Sequence, residues 1–138
     1  MPVPTSNRRI LIDDCDAAGV VFGPRLLALA HQAYEEALAD AGLDLAAVVR
    51  GGELALPYVH LDCEFSGPLR HGDRAEFTVS CERIGTTSYG IRIAVACGGR
   101  PCAQVTQAHV AIDPRTRAKT PLPEVVRAAL AALIVCST

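Results

Sequence analysis

Asp14 and Asp16 flank a single residue, Cys15, and the run continues Ala17-Ala18-Gly19-Val20-Val21-Phe22-Gly23 up to a helical pattern that opens at Pro24. A carboxylate just upstream of a helix N-terminus pairs a potential base or nucleophile with a ready-made anion site. The unpaired N–H groups and the positive end of the helix dipole can receive a developing oxyanion. Acyl transfer uses that combination. Asp16 is the candidate for the chemistry, either attacking an acyl carbonyl to give a mixed anhydride or activating a water. The backbone N–H of Gly23 is the candidate donor to the carbonyl oxygen, and a glycine there lets substrate approach the main chain closely. On spacing alone the competing reading is a helix cap or a solvated Asp-x-Asp. A cation loop is disfavoured, because few oxygen ligands follow Gly19, so no metal is expected.

The remaining polar residues offer weaker signals. His31 lies at the flank of the helical apolar stripe beside Leu27, Tyr34 and Leu38, where a structural role competes with a pocket role. His60 falls on the polar side of a strand with Tyr58 and Asp62, and His109 projects from a late strand, where packing or pairing is the expectation. No Gly-x-Ser-x-Gly elbow and no Gly-rich phosphate loop occurs. The six cysteines show no Cys-x-x-Cys spacing, so free thiols are expected rather than zinc ligands, even for Cys97 and Cys102 on either side of Gly98-Gly99-Arg100-Pro101. Arg70, His71, Arg74, Arg92 and Arg117 are the basic side chains available for phosphate groups, although surface solvation explains most of them.

The elements that must position these residues follow from periodicity. Residues 8–13 read as a short strand and 14–23 as a loop. From Pro24 to Ala41, Leu26, Leu27, Ala30, Ala33, Tyr34, Ala37, Leu38 and Ala41 recur at helical spacing, with Pro24 in the first turn and Gly42 after the last. A second helical or loop stretch runs over 43–55. The period then becomes two: Val59, Leu61, Cys63 and Phe65 alternate with Tyr58, His60, Asp62 and Glu64, predicting a strand with one buried face. Strands over 74–83, 87–97 and 102–112, with hairpin turns at Gly85-Thr86 and Gly98-Gly99, precede a short helix over 124–134. The order predicts an α+β fold, an antiparallel sheet wrapped around one long helix, as a single domain over 1–138. Its sheet edges invite a second copy.

Composition narrows the partners. Of 138 residues, 50% are hydrophobic and 20% charged, which supports a packed core and argues against disorder. The net charge is −2, and Lys119 is the only lysine, so neither nucleic acid nor an anionic membrane is an expected partner. No apolar stretch is long enough to span a bilayer, and the N-terminal residues lack an apolar signal core, which predicts a cytoplasmic protein.

The run Asp14 to Val21 resembles the signature of the hotdog-fold acyl-CoA thioesterases of the 4-hydroxybenzoyl-CoA thioesterase type. Within that resemblance Asp16 matches the catalytic carboxylate. Gly23 matches the position whose N–H polarises the thioester carbonyl, near which an aromatic residue is more usual. His31-Gln32-Ala33-Tyr34-Glu35, Leu56-Pro57-Tyr58-Val59-His60, Gly72-Asp73-Arg74 and Pro121-Leu122-Pro123 are similar to the 1,4-dihydroxy-2-naphthoyl-CoA hydrolases of phylloquinone and menaquinone synthesis. The resemblance implies an acyl-CoA substrate, with Asp16 carrying the chemistry and no cofactor needed; the uncovered sheet edge and loop of a single copy predict a homodimer or homotetramer. The small residues Ala30, Ala33 and Ala37 then read as room for a flat two-ring acyl group, or simply as close helix–sheet packing. His31, Tyr34 and His60 read as polar edges for ring hydroxyls. A broader aromatic or short-chain thioesterase, or a non-catalytic acyl-CoA-binding protein on the same fold, are the alternatives.

Overall fold

The computed structural model describes residues 4–134. Its elements run β1 (Thr5–Arg9), a 3-10 turn at Ile12–Asp14, α1 (Gly23–Asp40), α2 (Leu45–Gly51), β2 (Tyr58–Phe65), β3 (Arg74–Ile84), β4 (Ser88–Cys97), β5 (Arg100–Val110) and α3 (Glu124–Ala131). All strands pair antiparallel, in the order β1-β3-β4-β5-β2. This is the hotdog arrangement, with α1 lying across the sheet near β3 and β1.

Local chemistry sets the boundaries. The expected strand over 8–13 stops early because the Asp14 carboxylate accepts the Leu11 N–H and draws the chain into a helical turn. At its other end α1 closes with the Leu43 N–H donating to Leu38 O, a Schellman-type stop that also buries Leu43. The β4–β5 hairpin turns on Gly98 (φ +56°) and Gly99 (φ +79°), a consecutive left-handed pair that suits a two-residue turn. Cys97 pairs with Arg100 across that turn rather than with Cys102, and the five described cysteines are free; Cys136 lies outside the described residues.

The core forms where the α1 stripe meets the inner sheet face. Leu26, Leu29, Ala30, Ala33, Tyr34, Ala37 and Leu38 from α1 pack on Phe77 and Val79 of β3, Tyr89, Ile91, Ile93 and Val95 of β4, and Val105 of β5. Each fully buried Leu or Ile contributes roughly 1.5–3 kcal/mol. Ala30, Ala33 and Ala37 are all buried. They bring helix and sheet close together, and Ala33 and Ala37 line a recess on the β1 side beside Thr5, Ser6 and Val79, not the recess beside Gly23.

Strand β2 departs from its expected pattern. Val59 is 62%, Leu61 41% and Phe65 60% exposed. The cause is position: among the described residues β2 is a sheet edge and bonds only to β5. A register shift between Tyr58 and His60 also inserts a bulge, so Tyr58 rather than Val59 turns inward toward His109. Beyond the bulge, Leu61, Cys63 and Phe65 stand opposite Gln107, Val105 and Ala103, all buried on the inner face. These β2 side chains therefore face the α1 side but lack cover. No helix among the described residues is long and apolar enough to cross a membrane.

Candidate active site

The loop between the 3-10 turn and α1 is a miniature hairpin. Asp14 O accepts the Phe22 N–H (3.0 Å), Cys15 bridges Val21, and the Asp16 N–H donates to Val20 O (2.9 Å). Gly19 makes the return at φ +78°. A second segment braces the hairpin: Val20 bridges Arg70, and the His71 N–H donates to Gly19 O. Because α1 starts at Gly23, one residue past the Asp14–Phe22 rung, the hairpin runs straight into the helix, with Asp16 two residues beyond that rung toward the Gly19 turn.

The Asp16 side chain is exposed and half-fixed. Its Oδ1 accepts the N–H groups of Ala18 (2.9 Å) and Val20 (3.4 Å). Its Oδ2 has no partner among the described residues, so one oxygen is oriented and the other is open for chemistry. Asp14 is the reverse. It is buried, and both oxygens are taken, Oδ2 by the Leu11 N–H and Oδ1 by Arg25 Nε–H at 2.8 Å. Burial alone would raise its pKa, but the Leu11 N–H and the Arg25 guanidinium outweigh burial and hold the carboxyl below its usual value. Cys15 does not compete as a nucleophile, because burial and the neighbouring Asp14, Asp16 and Asp13 charges push its thiol pKa up.

The helix mouth is uncapped. Phe22 at the N-cap supplies no side-chain hydrogen bond, Pro24 has no N–H, and Leu26 donates to Phe22 O. Among the described residues, the first-turn amides without a hydrogen-bond acceptor are those of Gly23 and Arg25. A Cβ at Gly23 would meet the Phe65 ring at 3.8 Å, so the glycine faces β2. Beside it, Val20, Val21, Leu26, Phe65, Pro68 and Leu69 line an apolar recess.

From that point α1 and β2 are linked at two places, Gly23 to Phe65 and His31 to Tyr58, and the half-exposed strip between these contacts is the candidate cleft. Gly23, Leu27 and His31 share one stripe of the helix, four residues apart. Phe65 closes the Gly23 end, and the Tyr58 hydroxyl hydrogen-bonds His31 Nδ1 at the other. Leu61 and Cys63 lie between them on the strand. The polar end is eight residues along the helix from Gly23, about 12 Å of rise. Tyr58, whose pKa burial and then Glu35 push up to about 12, stays protonated as a donor.

Behind the cleft sits a buried polar cluster that sequence reasoning did not assemble. Tyr34, Tyr58 and Tyr89, the three tyrosines of the chain, converge on His109, whose ring stacks with Tyr34 (4.9 Å) and Tyr89 (5.0 Å). The Tyr34 and Tyr89 hydroxyls bond each other at 2.5 Å. His109 Nδ1–H donates to Leu56 O (3.0 Å). The neutral ring thus presents a bare Nε2 to Gln107, 3.1 Å from its amide group. The atom placed there is Gln107 Oε1, and turning the amide over would instead let its NH2, unpartnered among the described residues, donate to the ring.

Burial, more than the Leu56 bond opposes, lowers the His109 pKa. A folded value below the unfolded one means that stability is complete above about pH 6.5 and falls as pH drops below it. The thermal midpoint should therefore decline from pH 7 to pH 5. A His109→Phe variant should lose part of that slope; identical slopes would remove His109 from the explanation.

Of the residues singled out in sequence, Asp16, Gly23 and His31 gather along the loop and cleft. Tyr34 is 1% exposed and committed to Tyr89, so it supports the cleft from behind and does not line it. His60 alternates onto the outer sheet face, where its Nε2 contacts Asp62 Oδ2 at 2.6 Å. Within one chain it is separated from His31 by the sheet. Arg92 is paired with Glu82, whereas Arg70 and His71 belong to the segment bonded to the Asp16 hairpin. Arg25 escaped notice. Its signal was a cation in the first turn of a helix, against the dipole, shortly after two aspartates. Among the described residues no group of His, Cys, Asp and Glu is arranged to hold a metal ion.

A family model for the thioesterase-like superfamily matches residues 10–130. The chain belongs to this superfamily. Its relatives include the 1,4-dihydroxy-2-naphthoyl-CoA hydrolase of Rippkaea orientalis, 38% identical over 121 residues, covering 86% of this chain and 88% of that protein. The hydrolase of the same name from Crocosphaera subtropica is 36% identical with the same coverage. The crystal structure of a 1,4-dihydroxy-2-naphthoyl-CoA thioesterase from Synechocystis superposes with a TM-score of 0.89 at 28% identity, over 96% of this chain and 98% of that one. A gentisyl-coenzyme A thioesterase superposes at 0.82 and 25% identity, over 91% and 98%. Within the superfamily, then, these likenesses extend over almost the whole chain.

Proposed function

We propose that this chain is a single-domain thioesterase that hydrolyses 1,4-dihydroxy-2-naphthoyl-CoA to the free acid and coenzyme A, a step of phylloquinone or menaquinone synthesis. The observation that carries the reading is the open Oδ2 of Asp16 on a hairpin that leads directly into the uncapped mouth of α1. The thioester carbonyl oxygen is held by the Gly23 N–H, and the acyl rings extend along the cleft toward His31 and Tyr58. Asp16 either attacks the carbonyl carbon, expelling the CoA thiolate and leaving a mixed anhydride for water to cleave, or takes a proton from the attacking water. Both routes place negative charge on the same carbonyl oxygen, where an oriented N–H is worth about 10²–10³ in rate. No cofactor enters either route. The CoA moiety leaves the cleft on the Gly23 side, toward Arg70 and His71. Free cysteines and a CoA thioester substrate suit a cytoplasmic setting.

The exposed apolar edge of β2 supports a homodimer, in which two β2 strands pair about a two-fold axis and cover Val59, Leu61 and Phe65. The site then lies at the subunit boundary. Light scattering on active enzyme at assay concentration should return twice or four times the chain mass; a monomer mass would contradict this. A second reading, a wider range of aromatic acyl-CoA esters, draws on the likeness to the gentisyl-coenzyme A thioesterase. Release of CoA thiol from the naphthoyl ester and its competitors tests the two together.

A further inference from the structure

We infer that the ion pair between Arg25 and Asp14 is a positioning device that sets how the Asp16 hairpin meets the mouth of α1, and so governs the acyl-transfer step. The inference rests on the proposed role of Asp16. It starts from two departures from ordinary helix chemistry. The first turn of α1 contains no acidic residue and no side-chain cap, and it carries a cation that the helix dipole disfavours there. Such departures need a compensating reason.

The reason lies in what Asp14 touches. One carboxylate oxygen takes Arg25 Nε–H at 2.8 Å from the helix, and the other takes the Leu11 N–H at 2.9 Å from the incoming chain. The backbone carbonyl of the same residue takes the Phe22 N–H at 3.0 Å, which closes the hairpin. Asp14 is thus tied to the entry of the loop, to its exit and to the helix, and it is 2% exposed. Asp16 is two residues farther along the same strand of this hairpin. A planar guanidinium fixes direction as well as distance, which a flexible ammonium does not. The pair also neutralises the Arg25 charge beside the oxyanion amides while leaving their N–H groups free. Rotation of the hairpin about its base would carry Asp16 Oδ2 away from a carbonyl held at Gly23, and misplacement by about 1 Å can cost on the order of 10²-fold in rate.

The test measures kcat, KM and thermal midpoint for Arg25→Met and Arg25→Lys, each made also in the Asp16→Asn background, with 1,4-dihydroxy-2-naphthoyl-CoA. Because Arg25→Met leaves the buried Asp14 carboxylate without its cation, the thermal midpoint separates lost stability from lost rate, and Arg25→Lys keeps a cation opposite Asp14 should Arg25→Met fail to fold. Arg25→Met should lower kcat about tenfold or more and leave KM within about threefold, because an interaction made for the transition state is lost. Arg25→Lys should recover only part of that rate. In the Asp16→Asn background, Arg25→Met should cost nothing further. Unchanged kcat in Arg25→Met beside an inactive Asp16→Asn overturns this inference alone, as does an equal loss in both backgrounds. Full turnover by Asp16→Asn overturns the role of Asp16 and this inference with it.

Discussion

Asp16→Asn should lower kcat by at least about 10²-fold while leaving the fold intact, the range expected when a general base or nucleophile is lost. The geometry explains why the two effects separate. The amide oxygen of an asparagine can still accept the Ala18 and Val20 N–H groups that Asp16 Oδ1 accepts now. The open Oδ2, however, becomes an NH2 that can neither attack a carbonyl nor take a proton. Asp14→Asn should behave the other way round, with a smaller loss of kcat and a larger loss of stability. It weakens the partner of a partly buried guanidinium, at a cost of about 1–3 kcal/mol once the exposure of Arg25 is allowed for. The pH dependence has a definite sign. With the folded pKa of Asp14 below its ordinary value, the stabilisation is present above about pH 3.8 and is lost as pH falls through the folded value. Steady-state CoA release and thermal melts on both variants check this; equal kinetic damage from both would show that the wrong carboxylate has been assigned.

Much of this was legible in the chain, and the exceptions have physical causes. The α1 stripe, the hairpin at Gly98-Gly99 and the Asp14–Gly23 loop are local features written in period, turn chemistry and spacing, and they stand where expected. Strand β2 was harder to read. Its alternation marks which side chains share a face, but not whether anything covers that face. The edge position of β2 and the bulge at Tyr58 follow from pairing with β5, which is distant in sequence. The same holds for Tyr34, which was expected at the substrate: whether its hydroxyl is free depends on Tyr89, 55 residues away. Ala30, Ala33 and Ala37 show the ambiguity of small residues, which permit either a cavity or close packing and here give close packing, with a recess at Ala33 and Ala37 on the β1 side. The Arg25–Asp14 pair spans 11 residues and joins two elements, and helix-face arithmetic does not link them.

The second large effect concerns the acyl group. 1,4-Dihydroxy-2-naphthoyl-CoA should exceed benzoyl-CoA, hexanoyl-CoA and palmitoyl-CoA in kcat/KM, by as much as about 10⁴ where ring hydroxyls are lost. The cleft supplies the reason. Its walls near Gly23 are apolar, with Leu27 on the helix and Leu61 and Phe65 on the strand, and its far end is the hydrogen-bonded pair of His31 and Tyr58. A flat two-ring acyl group anchored at Gly23 covers the apolar stretch of Leu27, Leu61 and Phe65 broadly, whereas a single ring or a hexanoyl chain covers less of it. A long aliphatic chain reaches the far end, about 12 Å of helix rise away, and strips water from the His31–Tyr58 pair without offering either group a hydrogen bond, which is the costly outcome. Tyr58→Phe should narrow the preference without abolishing hydrolysis, since it lies far from the carbonyl. Equal efficiency on hexanoyl- or palmitoyl-CoA would replace the naphthoyl reading with that of a general thioesterase.

The most direct test of the central claim is a paired measurement on 1,4-dihydroxy-2-naphthoyl-CoA: CoA thiol released per site, and equilibrium binding of the same ester, for the unmodified protein and for Asp16→Asn. The expected result is multiple turnovers by the unmodified protein, with Asp16→Asn binding the ester at comparable affinity and releasing almost no thiol. Binding by the unmodified protein without thiol release would make it an acyl-CoA-binding protein and not a hydrolase, and thiol release by Asp16→Asn at the unmodified rate would remove Asp16 from the chemistry.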